Sequence, residues 1–161
     1  MLLRSRSVDD TRSIAGALAG VARRGDLIVL AGDMGVGKTA FAQGFGRALG
    51  VTEPITSPTF TLVHSYPCGK LTLHHADLYR LDRMAEVTDL ALLELAEFGG
   101  IVLVEWGDVA RAAFGEHLEV RLEIDPDDDD LDLRCLEISA VGRGWAERWA
   151  RVATAVEPWV W

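Results

Sequence analysis

No asparagine occurs anywhere in this chain of 161 residues. That removes the NKxD signature with which GTPases read guanine, and no DxxG is present either, so a GTPase switch is a poor fit. Basic residues are outnumbered: 16 Lys and Arg stand against 25 Asp and Glu, for a net charge of −9. The chain therefore lacks the Lys/Arg surface needed to grip bare nucleic acid, although it can still work on nucleic acid through a basic partner. Cysteine is limited to Cys68 and Cys135, far apart and outside any CxxC. Two are too few for a disulfide framework and predict reduced thiols in a cytosolic, cytoplasmic protein. Met1 is not followed by an apolar export segment, and no apolar stretch reaches bilayer length, so neither a signal peptide nor a membrane span is predicted. The acidic run at 125–130 imitates a calcium loop but has Asp130 where glycine is required and Leu136 where glutamate is required, so it reads as a solvated turn.

What the chain does have is apolar content, 49% of residues, enough at this length to bury a core. No internal repeat or composition break divides it, which predicts one domain over residues 1–161. Ile14, Leu18 and Val21 share a helical face over residues 9–24. Residues 27–31 are a continuous apolar run, as expected of a strand buried on both faces. Phe41, Phe45 and Leu49 mark a helix ending at Gly50. Residues 61–66 and 70–74 read as two strands joined by a turn at 67–69, and Asp77 ends the second of them. Residues 81–98 read as a helix, 101–104 as a second buried strand, and 109–114 as a short helix. Leu118, Val120, Leu122 and Ile124 alternate with polar residues in a one-sided strand. Its hairpin partner is residues 131–138, where the apolar phase slips between Leu133 and Leu136 and suggests a bulge. Trp145, Trp149, Val152 and Val156 form a final helix.

Gly32-Asp33-Met34-Gly35-Val36-Gly37-Lys38-Thr39 fits GxxxxGK[ST], entered from a buried strand and left by an amphipathic helix. Glycines let several backbone N–H groups converge on one anion, and the helix N-terminus adds partial positive charge. Lys38 can reach the β- and γ-phosphates, and the Thr39 hydroxyl can ligate Mg²⁺. Such a loop needs a second acidic contribution to the metal. Glu105 supplies one, at the end of an apolar strand whose C-terminal end in a parallel sheet lies beside the loop. Trp106 beside it reads equally as packing or as a site residue. Ser57-Pro58-Thr59 has hydroxyls that could sense a γ-phosphate, and an ordinary turn explains it equally well. Asp77 could position or deprotonate an attacking water, although an Asp before a helix is by itself more often an N-cap. His64, His74, His75 and Cys68 lack the paired spacing of a structural zinc site.

GDMGVGKT, SPTFTLV, HADLYRL and LVEWGD, in this order and at these spacings, resemble the TsaE (YjeE) family over about residues 11–108. The resemblance implies a P-loop α/β fold with a central, mostly parallel mixed sheet flanked by helices, with antiparallel hairpins. It implies an ATPase, weak alone, that works with TsaD and TsaB in forming threonylcarbamoyladenosine at position 37 of tRNAs reading codons that start with A. Contact with tRNA is then only indirect, through that complex. It implies ATP and Mg²⁺ as cofactors, with catalysis by Asp77, Lys38 and Glu105 and the metal on Thr39 and Glu105. Nucleotide binding falls to Gly35, Val36, Gly37, Lys38, Thr39 and Ala40, to the switch-like Ser57 and Thr59, and to Thr11 near the base. Ala40 is a departure, since many members carry a second threonine there. The competing enzyme is a small-molecule P-loop kinase, which would recruit Arg80, Arg83 and Arg111 but has no evident lid. The non-enzyme alternative is an assembly factor that keeps its function when Asp77 is neutralised.

Overall fold

The computed structural model describes residues 1–58, 61–79, 91–106, 112–124 and 132–161. Its strands are β1 Leu2–Ser5, β2 Leu27–Ala31, β3 Val63–Cys68, β4 Leu71–Asp77, β5 Ile101–Glu105, β6 His117–Ile124 and β7 Arg134–Val141. Its helices are α1 Val8–Ala19, α2 Lys38–Leu49, α3 Leu92–Glu97, α4 Arg143–Ala146 and α5 Trp149–Val156. All seven strands join one sheet in the order β1-β7-β6-β2-β5-β4-β3. The four central strands are mutually parallel, and antiparallel hairpins extend the sheet at both sides. The fold is a mixed α/β sheet flanked by helices, as the motifs imply.

Every residue of β2 and of β5 is buried, because helices cover both faces of the sheet. On one face, Ile14 and Leu18 of α1, Phe41 and Phe45 of α2, and Val152 and Val156 of α5 pack on Ile28, Leu30 and Leu103. On the other, Leu92 and Ala96 of α3 pack on Val29, Val102 and Val104. The helix α1 starts where Ser7 accepts the Asp10 N–H at 3.1 Å. Helices α1 and α2 lie parallel and close: a Cβ at Gly44 would fall 2.3 Å from the Arg12 carbonyl oxygen, and one at Gly16 3.6 Å from Ala48.

Several sequence expectations need correction. The strand β1 was not foreseen; it is four residues long and owes its existence to pairing with β7. There is no bulge in β7: its register with β6 is unbroken from Arg134 to Val141, and Leu133 lies ahead of the strand. The phase slip marks the strand's start, not an inserted residue. The β3–β4 turn is tighter than expected, since Pro67 and Cys68 remain paired with Thr72 and Leu71. Pro67 is tolerated because β3 is an edge strand. Nor is β6 one-sided. Sandwiched between β2 and β7, it buries His117 and Glu119 as well as its apolar residues. The last helix is two, α4 and α5, and the first ends at Ala19 rather than near residue 24. The expected helical residues 81–90 and 109–111, and the acidic turn at 125–130, lie outside the described residues.

Candidate active site

The segment between β2 and α2 has a backbone few residues besides glycine adopt. Gly32, Gly35 and Gly37 have φ of 124°, 83° and 112°. At Gly32 the constraint is doubled, because a Cβ would lie 2.1 Å from the Leu122 carbonyl oxygen of β6. Left-handed residues of this kind turn successive N–H groups towards a common anion. Val36 is buried and its carbonyl accepts from Arg134 Nε of β7 at 3.1 Å, which ties the loop to the sheet. Lys38 is 5% exposed. Its Nζ donates to the carbonyls of Gly32 and Asp33, both at 2.7 Å, and lies 3.9 Å from the centre of the Trp106 ring. The ring face attracts the ammonium, and the two bonds hold it within the loop. Trp106 has φ 61°, a left-handed form that costs a bulky residue about 1–3 kcal/mol. Tyr79 packs beside it at a ring separation of 5.1 Å.

The facing wall follows from strand alternation and register. Asp77 pairs with Glu105 and His75 with Leu103 across β4 and β5. Leu73 and Leu103 face the core beneath α1 and α2, so His75, Asp77 and Glu105 share that side. Thr39, in the first turn of α2, donates to Glu105 Oε1 at 3.2 Å. His75 Nε2 lies 2.9 Å from the same oxygen. Asp77 is bound twice: Ser57 Oγ donates to Oδ2 at 2.5 Å, and the Tyr79 N–H donates to Oδ1 at 2.9 Å. Asp77 thus does organise the backbone after its strand, while also joining the 57–58 segment to the wall of the site.

The expected residues divide accordingly. Lys38, Thr39, Glu105, Asp77 and Ser57 converge, with Gly35, Val36 and Gly37 forming the loop and Ala40 following in α2. Thr11 is buried at the start of α1, where its hydroxyl shares a 2.8 Å hydrogen bond with Ser5; no hydrogen bond joins it to the loop among the described residues. Thr59 lies outside the described residues, as do Arg80, Arg83 and Arg111 of the kinase alternative. Sequence reasoning weighed His75 only as a zinc ligand, passed over Arg134 and left Trp106 open. For His75 a signal existed: it stands two residues before Asp77 and so shares its face.

One carboxylate and one hydroxyl 3.2 Å apart suit a hard cation such as Mg²⁺, which keeps water and phosphate ligands rather than an all-protein cage. Among the described residues no group of three or more His, Cys, Asp or Glu converges on a metal position. A groove of about 890 Å³ between α1, α2 and residues 51–55 is lined by Arg12, Gln43 and Arg47, and does not include the loop. Outside the site, burial pushes the Cys68 thiol up and the His74 imidazole down from their usual values.

Parallel strands feeding a glycine-rich loop and helix, with an acid at the neighbouring strand end, define a P-loop α/β protein. Residues 5–134 match the family described as threonylcarbamoyl adenosine biosynthesis protein TsaE. The tRNA threonylcarbamoyladenosine biosynthesis protein TsaE of Bacillus subtilis is 37% identical over 140 residues, spanning 86% of this chain and 85% of that one. Its counterpart in Streptomyces coelicolor is 34% identical over 139 residues, spanning 84% and 93%. The crystal structure of Bacillus subtilis YdiB superposes with a TM-score of 0.80 at 30% identity, covering 96% of this chain and 94% of that one. The chain belongs to the TsaE family. Among the described residues, no helix is long and apolar enough to cross a membrane.

Proposed function

We propose that this chain binds Mg-ATP on residues 32–39 and hydrolyses it in complex with TsaD and TsaB, in support of threonylcarbamoyladenosine formation at position 37 of tRNA. The observation that carries the reading is the hydrogen bond of 3.2 Å from Thr39 to Glu105, which joins the hydroxyl and the carboxylate a P-loop protein offers to Mg²⁺. Gly35, Val36 and Gly37 present backbone N–H groups to the phosphates, and Lys38 meets the β- and γ-phosphates. Thr11, near the start of the helix beside α2, is assigned to the base side. Ala40 contributes backbone only. When bound, Mg²⁺ neutralises charge developing on the phosphate oxygens.

In hydrolysis, the water oxygen bonds to the γ-phosphorus as the bond from phosphorus to the β–γ bridging oxygen breaks, releasing ADP and phosphate. Asp77 orients that water and accepts its proton. Ser57 and Thr59 form the segment that senses the γ-phosphate, and the Ser57–Asp77 hydrogen bond links this segment to the acid. The absence of asparagine supports ATP over GTP, and the charge of −9 supports action on tRNA through partners. ATP and the partners must then strengthen each other's binding, since a ligand shifts a conformation only through differential affinity. Titration of TsaD–TsaB with the chain tests this. Tighter association with ATP than with ADP, and ATP turnover that rises in the complex, are expected. Association indifferent to nucleotide, or tight tRNA binding by the isolated chain, contradicts the reading.

A further inference from the structure

His75 is fully buried on β4, in the strand next to Glu105, and the phosphate chemistry above gives it no task. Its two ring nitrogens are in different surroundings. Nε2 lies 2.9 Å from Glu105 Oε1, while Nδ1 is enclosed with no hydrogen-bond partner. A carboxylate only accepts, so the Nε2 position carries the proton. A proton on Nδ1 would be an enclosed donor with nothing to receive it, so the surroundings satisfy the N–H at Nε2. Glu105 Oε1 thereby receives two donors, from His75 and from Thr39 of α2, while Oε2 receives none among the described residues.

We infer that His75 is a positioning residue for the metal carboxylate: register fixes the ring, the ring fixes Glu105, and Oε2 is left as the oxygen for a divalent cation. This rests on the reading of Thr39 and Glu105 as the Mg²⁺ ligands. The chemistry is that of an outer-shell partner, which orients a ligand without touching the metal, and whose loss costs about 10–100-fold in metal affinity. A core-filling role would need the ring's volume alone. A positioning role needs its N–H at one place.

Two substitutions separate these. His75→Leu keeps an apolar side chain of similar bulk and removes the donor. His75→Gln can carry an N–H to about the Nε2 position. The measurement is ATP affinity by calorimetry in Mg²⁺ and again in EDTA, the ratio being the gain that Mg²⁺ confers. His75→Leu is expected to cut that gain by about 10-fold or more, with affinity in EDTA within about twofold of wild type, and His75→Gln to recover most of it. An unchanged gain in His75→Leu overturns the inference, and so does an equal loss with and without Mg²⁺. If wild type itself binds no ATP, or binds it with no gain from Mg²⁺, the underlying reading falls and this one with it. Nitrogen-15 NMR of the wild-type imidazole tests the tautomer without any variant. A protonated Nε2 with a bare Nδ1 supports the assignment, and a proton on Nδ1 overturns it.

Discussion

The two ends of β2 are built in opposite ways. Just ahead of the strand, Asp26 and Arg148 form a two-pronged ion pair with both bonds at 2.7 Å, their side chains 11% and 8% exposed. Arg148 also donates to the Val21 and Gly144 carbonyls and stacks on Trp145 at 4.0 Å. Polar groups there satisfy one another, and the C-terminal helices are bolted to the sheet. At the other end, Gly32 opens a loop of left-handed glycines, Lys38 is fastened to the loop's own carbonyls, and Trp106 sits in a strained backbone form. Polar groups there gather around Glu105 and Asp77. A strand of five residues thus separates the ion pair at its entry from the glycine-rich loop proposed to bind nucleotide at its exit.

That separation is open to attack at either end. The largest effect is expected from Arg148→Ala, which leaves the mostly enclosed Asp26 carboxylate with only the Arg23 N–H as donor. Removing one partner of such a pair costs about 3–5 kcal/mol. Denaturant unfolding should register that loss, while ATP affinity of the folded fraction stays within about twofold; a matching fall in affinity would mean that the two ends are not separable. Asp77→Asn, at the exit, should do the reverse. Hydrolysis with the partners present should fall by roughly 10²-fold, with ATP binding and thermal stability near wild type. Unchanged turnover would reduce Asp77 to its structural bonds with Ser57 and Tyr79. Gly44→Ala probes the helix pair beside the site, where the clash is with backbone and cannot be relieved by a side-chain rotation. Overpacking of this kind costs about 1–3 kcal/mol, visible as a lowered melting temperature; an unshifted melt would show that α1 gives way freely.

The smallest effect concerns His74. Burial lowers its pKa in the folded state. The unfolded chain therefore binds a proton more readily, with a pKa of about 6.5. The stability linked to this group is full above that value and is lost as pH falls through the folded-state value. His74→Gln should flatten the acid-side decline in denaturation midpoint slightly, and parallel declines in the two proteins would contradict the assignment.

Legibility in the sequence followed distance along the chain. Gly32, Gly35, Gly37, Lys38 and Thr39 are contiguous, so the loop could be read directly. Glu105 was legible because an apolar run ending in an acid implies a parallel strand ending near that loop. The His75–Glu105 bond joins residues 30 apart and needs the β4–β5 register, which no periodicity supplies. The Asp26–Arg148 pair spans 122 residues and left no local mark at all. Leu2–Ser5 was too short to announce a strand, and Leu133 misled because it is buried just ahead of β7 without belonging to it. Local rules pointed to the groups proposed to meet the ligand, and tertiary register supplied their partners.

The central claim is that the exit of β2 is a Mg-ATP site whose phosphate contact is Lys38. Calorimetric titration of Mg-ATP into wild type and into Lys38→Ala tests it most directly. Loss of a charge-assisted contact of this kind weakens binding by at least about 10-fold, and the account predicts that loss in a variant that remains folded. Wild-type affinity in Lys38→Ala would contradict it.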